Sequence, residues 1–168
     1  GKYADSGTQC SVCIAGEYSS ALATACSFCA PGSYTSASAQ STCFDAQAGY
    51  CSSVNGTACS GTGVTGSVLE IACTEGAYSV GVGSADCLSC GAGSSSVAAS
   101  SACFDCQSGR YAKTDLSDGL LKCTDAAAGS CSSLNGSTCY TGQVGATTEI
   151  ACTPGKYSAT TGLDDCSD

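Results

Sequence analysis

The sequence contains no histidine, no methionine and no tryptophan, and the first of these absences excludes the commonest catalytic arrangements. Without histidine, neither a Ser–His nor a Cys–His nucleophile can be assembled. Adjacent acids such as Asp164 and Asp165 are interpreted as solvated turn residues, because no cleft-forming core accompanies them. We therefore predict that the chain is not an enzyme and has no catalytic residues and no cofactor.

Positive charge is also scarce. Five Lys and Arg stand against 14 Asp and Glu, which gives a formal net charge of −9. A surface with so few cations cannot neutralise a row of phosphates, so we predict no nucleic-acid binding. No apolar run approaches the 18 or more residues of a membrane-spanning helix, and we predict no transmembrane segment in this fragment.

Large apolar side chains are too few for an ordinary core. Leu, Ile, Val and Phe account for 22 of the 168 residues, below the roughly 20 % expected of a globular domain. Cysteine is abundant instead, with 17 residues, a level typical of disulfide scaffolds in oxidising compartments. We therefore predict a secreted chain, extracellular or on the cell surface, that is held together by disulfides.

An internal repeat organises the chain. The segment Cys51-Ser-Ser-Val-Asn-Gly-Thr-Ala-Cys59 returns as Cys131-Ser-Ser-Leu-Asn-Gly-Ser-Thr-Cys139. Likewise, Glu70-Ile-Ala-Cys73 returns as Glu149-Ile-Ala-Cys152. These offsets of 80 and then 79 residues indicate a repeat protein whose units contact mainly their neighbours.

The repeat predicts three regions and accounts for the odd number of cysteines. We expect a first cysteine-rich repeat at 1–76, a second at 77–155 and the start of a third at 156–168, in a mature or excised segment that begins and ends within a unit. Each period carries eight cysteines, and Cys166 is the seventeenth. The odd cysteine is then a result of truncation, and the alternative is a free or interchain thiol.

A smaller theme, Cys-x-x-Gly-x-Tyr, lies within each period. Glycine permits a tight turn with positive φ, and the tyrosine after it can lie on a short strand and cover a disulfide. We predict a small disulfide-rich repeat of short β-hairpins and loops in an elongated rod, with little helix. The Cys-x-x-Gly-x-Tyr theme occurs at Gly16, Gly32, Gly76, Gly109 and Gly155, and in truncated form at Gly1. Outside these hairpins, the one modest helix candidate is 116–122.

Eight cysteines allow 105 pairings, but spacing favours closure of each Gly-x-Tyr unit by its flanking cysteines. Interlocked one-to-three and two-to-four modules are the alternative. Cys10 is left over, and its partner is expected upstream of residue 1 or in another chain. The predicted pairs are Cys13 with Cys26, Cys29 with Cys43, Cys51 with Cys59, Cys73 with Cys87, Cys90 with Cys103, Cys106 with Cys123, Cys131 with Cys139 and Cys152 with Cys166.

Paired CxxC motifs offer a second interpretation of the cysteines. The motif at Cys10 and Cys13 followed by that at Cys26 and Cys29 has the form of a four-cysteine zinc site. Four further cysteines per period lie outside any CxxC motif, and the chain has no histidine. We therefore favour disulfides and predict no metal site.

Two sequons occupy equivalent repeat positions. The chain has only two asparagines, and they form Asn55-Gly-Thr57 and Asn135-Gly-Ser137. Each lies in a seven-residue loop between two cysteines, where Asn-Gly favours an exposed turn. We predict covalent glycans at Asn55 and Asn135, and the alternative is a plain Asn-Gly turn without sugar.

The pattern Cys-x-x-Cys-x-x-Gly-x-Tyr-Ser followed by Cys-x-x-Cys, seen from Cys10 to Cys29, resembles the ephrin-receptor-like cysteine-rich repeats, including versions in protist and ciliate surface antigens. A related pattern runs from Cys87 to Cys106, while 43–73 and 123–152 depart from the motif. The resemblance implies an extended, extracellular architecture of strands and loops with roles in coats, adhesion or surface filaments.

Repetition with low apolar content favours a structural role. We expect a repeat of an extracellular or cell-surface glycoprotein that self-associates into a coat or filament. The alternative is the stalk of a ligand-binding or adhesive receptor ectodomain.

Overall fold

The computed structural model describes residues 1–5 and 9–168, which form short strands and no helix. In chain order the strands are β1 (Lys2–Asp5), β2 (Gln9–Val12), β3 (Glu17–Tyr18), β4 (Ser27–Phe28), β5 (Ser33–Tyr34), β6 (Phe44–Asp45), β7 (Tyr50–Ser53), β8 (Leu69–Ala72), β9 (Ala77–Tyr78), β10 (Leu88–Ser89), β11 (Ser94–Ser95), β12 (Phe104–Asp105), β13 (Arg110–Thr114), β14 (Leu121–Asp125), β15 (Ser130–Ser133) and β16 (Thr148–Ala151).

Consecutive strands pair into two-stranded sheets, β1 with β2 and so on to β15 with β16. In β7–β8 the antiparallel register places Cys51 opposite Ile71, and in β15–β16 it places Cys131 opposite Ile150. Such short hairpins are only marginally stable by themselves in water, so disulfides must supply the stability that a wider sheet would provide. The predicted disulfide-rich repeat of short hairpins and loops with little helix is confirmed.

A seven-residue pattern generates the hairpins from β3–β4 to β15–β16 and a last turn that ends in the bridge between Tyr157 and Ser167. A small residue comes first, a glycine with φ between 78° and 90° follows three positions later, and another small residue lies three positions beyond that. The amide of the first residue donates to the turn glycine of the preceding unit, as from Cys29 to Gly16 at 2.9 Å. The turn glycines are Gly16, Gly32, Gly49, Gly76, Gly93, Gly109, Gly129 and Gly155.

Two of these units lack the cysteine of the Cys-x-x-Gly-x-Tyr theme. In the units of Gly49 and Gly129 the first position holds Ala46 and Ala126, both 0 % exposed. Ala46 still donates its amide to the carbonyl oxygen of Gly32, at 2.9 Å. Alanine therefore fills the position that cysteine fills elsewhere, and the backbone arrangement is retained.

The interior consists of small side chains, many of them polar. Buried serines bond the turns: Ser79 Oγ accepts from the amide of Gly49 and donates to the carbonyl oxygen of Tyr50, both at 2.9 Å. The three phenylalanines of the chain, by contrast, are 43–63 % exposed. Since apolar burial is so small, the disulfides and backbone hydrogen bonds carry most of the stability.

The helix expected at 116–122 is absent. Residues 116–120 form the tip of the β13–β14 hairpin, where Gly119 adopts a φ of 74°, and residues 121 and 122 begin β14. Lys122 Nζ lies 2.6 Å from a carboxylate oxygen of Asp115 and 2.9 Å from one of Asp118. Hydrogen bonds from Lys122 and Ser117 lower the pKa of the Asp115 carboxyl. These charges therefore stabilise a hairpin turn and not a helix.

The chain divides into two compact units that are not continuous in sequence. The first comprises Gly1–Cys73, Tyr78–Leu88 and Ala99–Ser101. The second comprises Thr74–Ala77, Ser89–Ala98 and Ala102–Asp168. Each unit contains one complete copy of the cysteine-bounded sequon loop.

Candidate functional site

Eight disulfides form the framework on which the candidate sites lie. The pairs are the same ones that the spacing favours, and the Cα atoms of each pair are 5.4–5.8 Å apart. The bonds join Cys13 to Cys26, Cys29 to Cys43, Cys51 to Cys59, Cys73 to Cys87, Cys90 to Cys103, Cys106 to Cys123, Cys131 to Cys139 and Cys152 to Cys166.

Cys10 is exposed and has no disulfide. It lies on β2 opposite Ala4 of β1. Its repeat equivalents Cys87 and Cys166 bond to cysteines 14 residues upstream. An upstream or interchain partner for Cys10 remains a prediction.

The CxxC cysteines that have the form of a zinc site belong to separate disulfides. Cys13 bonds to Cys26, and Cys29 bonds to Cys43. A metal-binding cysteine must be a thiolate, and a sulfur in a disulfide is not one. In this oxidised form these sulfurs offer no zinc site.

The first sequon loop, 51–59, has a defined internal geometry. Asn55 Oδ1 accepts the amide protons of Thr57 at 3.0 Å and Ala58 at 3.4 Å. Ser53 Oγ accepts from the amide of Gly56 at 2.9 Å and donates to the carbonyl oxygen of Ala58 at 2.6 Å. The loop is therefore an Asx turn that is tied back to β7 by one serine hydroxyl.

The second sequon loop, 131–139, reproduces this geometry. Asn135 Oδ1 accepts from the amides of Ser137 at 2.9 Å and Thr138 at 3.3 Å. Ser133 Oγ accepts from the amide of Gly136 at 3.0 Å and donates to the carbonyl oxygen of Thr138 at 2.7 Å. The same four backbone groups are used, so the loop is a structural element of the repeat.

Both asparagine side chains are presented to solvent. Asn55 and Asn135 are exposed, and within 1–5 and 9–168 their Nδ2 atoms have no hydrogen-bond partner. Each carboxamide thus uses its oxygen to fix the loop and leaves its nitrogen free. This is the chemistry that an N-linked sugar requires, since the bond forms at Nδ2.

Two glutamates for which the sequence predicts no role connect neighbouring hairpins, one within each compact unit. Glu70 accepts from the amide of Gln47 at 2.7 Å and also bonds the hydroxyl of Tyr34. Burial, followed by the charge of Glu70 and its hydrogen bond, raises the pKa of Tyr34. The available signal was the recurrence of glutamate in both Glu-Ile-Ala-Cys segments.

Glu149 does the same in the second period. Its carboxylate accepts from the hydroxyl of Tyr111 at 3.0 Å and from the amide of Ala127 at 2.8 Å. Burial and the hydrogen bond that the hydroxyl donates to Glu149 raise the pKa of Tyr111, which is 7 % exposed. Each glutamate therefore connects a Gly-x-Tyr strand to the start of a cysteine-free turn.

We expect Glu149→Gln to lower the free energy of unfolding by about 1–2 kcal/mol, because it removes the charge from both hydrogen bonds. The variant should also bring the pKa of Tyr111 closer to its usual value. Chemical denaturation and a spectrophotometric tyrosine titration test these points. Glu75→Gln is the control, since Glu75 is exposed. Equal stability of the two variants would contradict a role for Glu149 in connecting neighbouring hairpins.

Comparison of the chain with protein-family models and with curated proteins gives no match. Within the part of the chain that the structure describes, there is no helix of the length and apolarity needed to cross a membrane. The fold and the site define a class: a disulfide-stapled repeat of β-hairpins that presents an Asn-Gly loop once per period.

Proposed function

We propose that this chain is a structural repeat of an extracellular or cell-surface glycoprotein that assembles into a coat or filament. The observation that carries the proposal is the preservation of the sequon loop in two periods, with the same hydrogen bonds to its asparagine and serine side chains. A presented loop that recurs with the same turn geometry is typical of a regular surface more than of one ligand site. Eight disulfides support an oxidising, extracellular location.

The same proposal assigns the chain no catalytic activity. Histidine is absent, and the cysteines other than Cys10 are in disulfides. The resemblance to ephrin-receptor-like repeats and protist surface antigens supports the same class, because those repeats serve coats, adhesion and surface filaments.

We expect sugar on both sequon loops when the chain is secreted by a eukaryotic cell. Enzymatic removal of N-linked glycans should then lower the intact mass in two steps. Thr57→Ala should abolish one step, because it destroys the sequon while leaving Asn55 in place. Thr57→Ser is the matched control, since it preserves the sequon and should retain both steps. An intact mass that equals the mass of the bare polypeptide would contradict the glycan assignment.

Electron microscopy of the native glycosylated material tests assembly. We expect filaments or sheets with a regular repeat, because identical units that contact their neighbours favour open-ended association. Discrete particles of one length, at concentrations where the protein is abundant, would contradict the coat and favour a stalk. Mass photometry over a dilution series separates specific assembly from aggregation.

A second candidate, a ligand-binding or adhesive stalk, is favoured by the β13–β14 hairpin. Its disulfide, Cys106–Cys123, spans 17 residues, whereas its repeat counterpart Cys29–Cys43 spans 14. The hairpin carries three of the five basic residues and exposes Leu116 fully, at 99 %. If this hairpin binds a partner, trimming its tip to the length of β5–β6 will abolish binding while leaving assembly intact.

A further inference from the structure

In each period two disulfides lie side by side. Cys59 Sγ, bonded to Cys51, is 3.5 Å from Cys87 Sγ, which is bonded to Cys73. The second period repeats the contact, with Cys139 Sγ 3.8 Å from Cys166 Sγ. Among the residues that the structure describes, no other two disulfides show such an approach.

Access to the four sulfurs of the first pair is unequal. Cys51 is 0 % and Cys73 is 1 % exposed, whereas Cys59 and Cys87 are half-buried. An incoming thiolate therefore reaches Cys59 before Cys51. Attack at Cys59 releases Cys51, whose Sγ lies within 4.8 Å of Cys87 Sγ. The released thiolate is thus formed beside a second, intact disulfide.

We propose that each of these disulfide pairs is a thiol–disulfide exchange site that takes a low-molecular-weight thiol and isomerises. The incoming thiolate first bonds to Cys59 Sγ, and the Cys51–Cys59 bond breaks with its electron pair going to Cys51. Cys51 then bonds to Cys87 Sγ and expels Cys73 as a thiolate. Cys73 finally attacks Cys59 Sγ in the mixed disulfide, forms Cys59–Cys73 and releases the incoming thiolate.

The three exchange steps conserve atoms and electrons. Two disulfides enter and two leave, the incoming thiol is regenerated, and no oxidant or reductant is consumed. Each step is an attack of a thiolate on a disulfide sulfur, and each attacked sulfur lies in the contact cluster. Cys73 begins bonded to Cys87 Sγ, which is itself 3.5 Å from Cys59 Sγ, so the last step also joins near neighbours.

The exchange replaces a disulfide of short sequence separation by one of long sequence separation. Cys51–Cys59 closes a sequence separation of 8 residues. Its replacement, Cys51–Cys87, ties the sequon loop directly to the next hairpin. The second period offers the equivalent exchange, with entry at the half-buried Cys139 and Cys131–Cys166 as the product. Disulfides without a neighbouring disulfide, such as Cys29–Cys43, can only open and reclose.

The test uses the oxidised chain in a Cys10→Ser background, so that added reduced glutathione is the only thiol. Samples taken over time are quenched in acid, alkylated, digested with pepsin and mapped by mass spectrometry. Peptides linked by Cys51–Cys87 and Cys131–Cys166 should appear at least about tenfold faster than any non-native link that involves Cys29 or Cys90.

A double variant, Cys51→Ala with Cys59→Ala, serves as the control. It removes the entry sulfur and the internal nucleophile, so Cys73 and Cys87 should enter no non-native link in it while the second period still forms Cys131–Cys166. Non-native links that arise at similar rates throughout the chain would overturn the proposal. Accumulation of a glutathione adduct on Cys59 without any Cys51–Cys87 peptide would overturn it equally.

Discussion

Replacing Cys29 and Cys43 together by alanine is expected to lower the free energy of unfolding by about 3 kcal/mol. The disulfide closes a sequence separation of 14 residues, and its loss frees the unfolded chain over that loop. Cys29 is fully buried, but alanine fits that place, because Ala46 occupies the equivalent position of the next unit and is also 0 % exposed. The expected cost is therefore that of the covalent closure itself, with little contribution from a cavity.

Denaturant unfolding under oxidising conditions, followed by circular dichroism, measures this cost. Cys10→Ser is the control, because Cys10 is exposed and has no disulfide, and it should change the stability by less than about 0.5 kcal/mol. A double-alanine variant as stable as this control would show that backbone hydrogen bonds alone hold the unit.

Gly32→Ala is expected to destabilise the first compact unit by at least about 2 kcal/mol, for two independent reasons. Gly32 has a φ of 86°, a conformation that strains an L side chain. A Cβ placed on it would lie 1.8 Å from the carbonyl oxygen of Gly83, a backbone atom that cannot rotate away. The amide of Gly83 is itself bonded to the carbonyl oxygen of Ala46 at 2.7 Å, so the obstructing turn is held in place.

Gly81→Ala is the matched control in the same compact unit. No atom lies within 4 Å of its Cβ position, and its φ lies outside the positive range. The control should be neutral or slightly stabilising, because alanine restricts the unfolded chain more than glycine does. Thermal unfolding of the two variants distinguishes them. Similar melting temperatures would contradict the close packing of turn glycines against later units.

Much of this architecture follows from the sequence because the cross-links are short. The disulfide partners coincide with those that the spacing favours, from Cys51–Cys59 at 8 residues to Cys106–Cys123 at 17. Each bond closes one loop around one glycine turn, so local spacing is enough to place it. The sequons are equally local, since Asn55 forms its turn with residues two and three positions later.

The hairpin units of Gly49 and Gly129 cannot be recognised from the Cys-x-x-Gly-x-Tyr theme, because its cysteine and tyrosine are both replaced in them. Ala46 and Ala126 take the place of cysteine, and in the same units Cys51 and Cys131 take the place of tyrosine two positions after the turn glycine. The pattern common to all units is a small residue, a glycine with positive φ and another small residue. That pattern becomes visible only when burial and φ are known.

The prediction of a helix at 116–122 is wrong because of strand pairing on either side of that stretch. The three leucines of that stretch, with Asp118 four residues before Lys122, fit a short helix as well as a turn. The β13–β14 pairing on either side of it, with Arg110 opposite Asp125, draws the segment into a hairpin. Tertiary pairing therefore overrode a weak local preference.

By itself, the sequence determined the covalent loops, the glycine turns and the presentation of Asn55 and Asn135, because each depends on residues close together in the chain. Only the tertiary structure decided which loops meet. The contact of Cys59 with Cys87 joins residues 28 apart, and that of Tyr111 with Glu149 joins residues 38 apart. Such contacts depend on how one unit packs on the next, and small buried side chains leave no periodic apolar pattern that would encode this packing in advance.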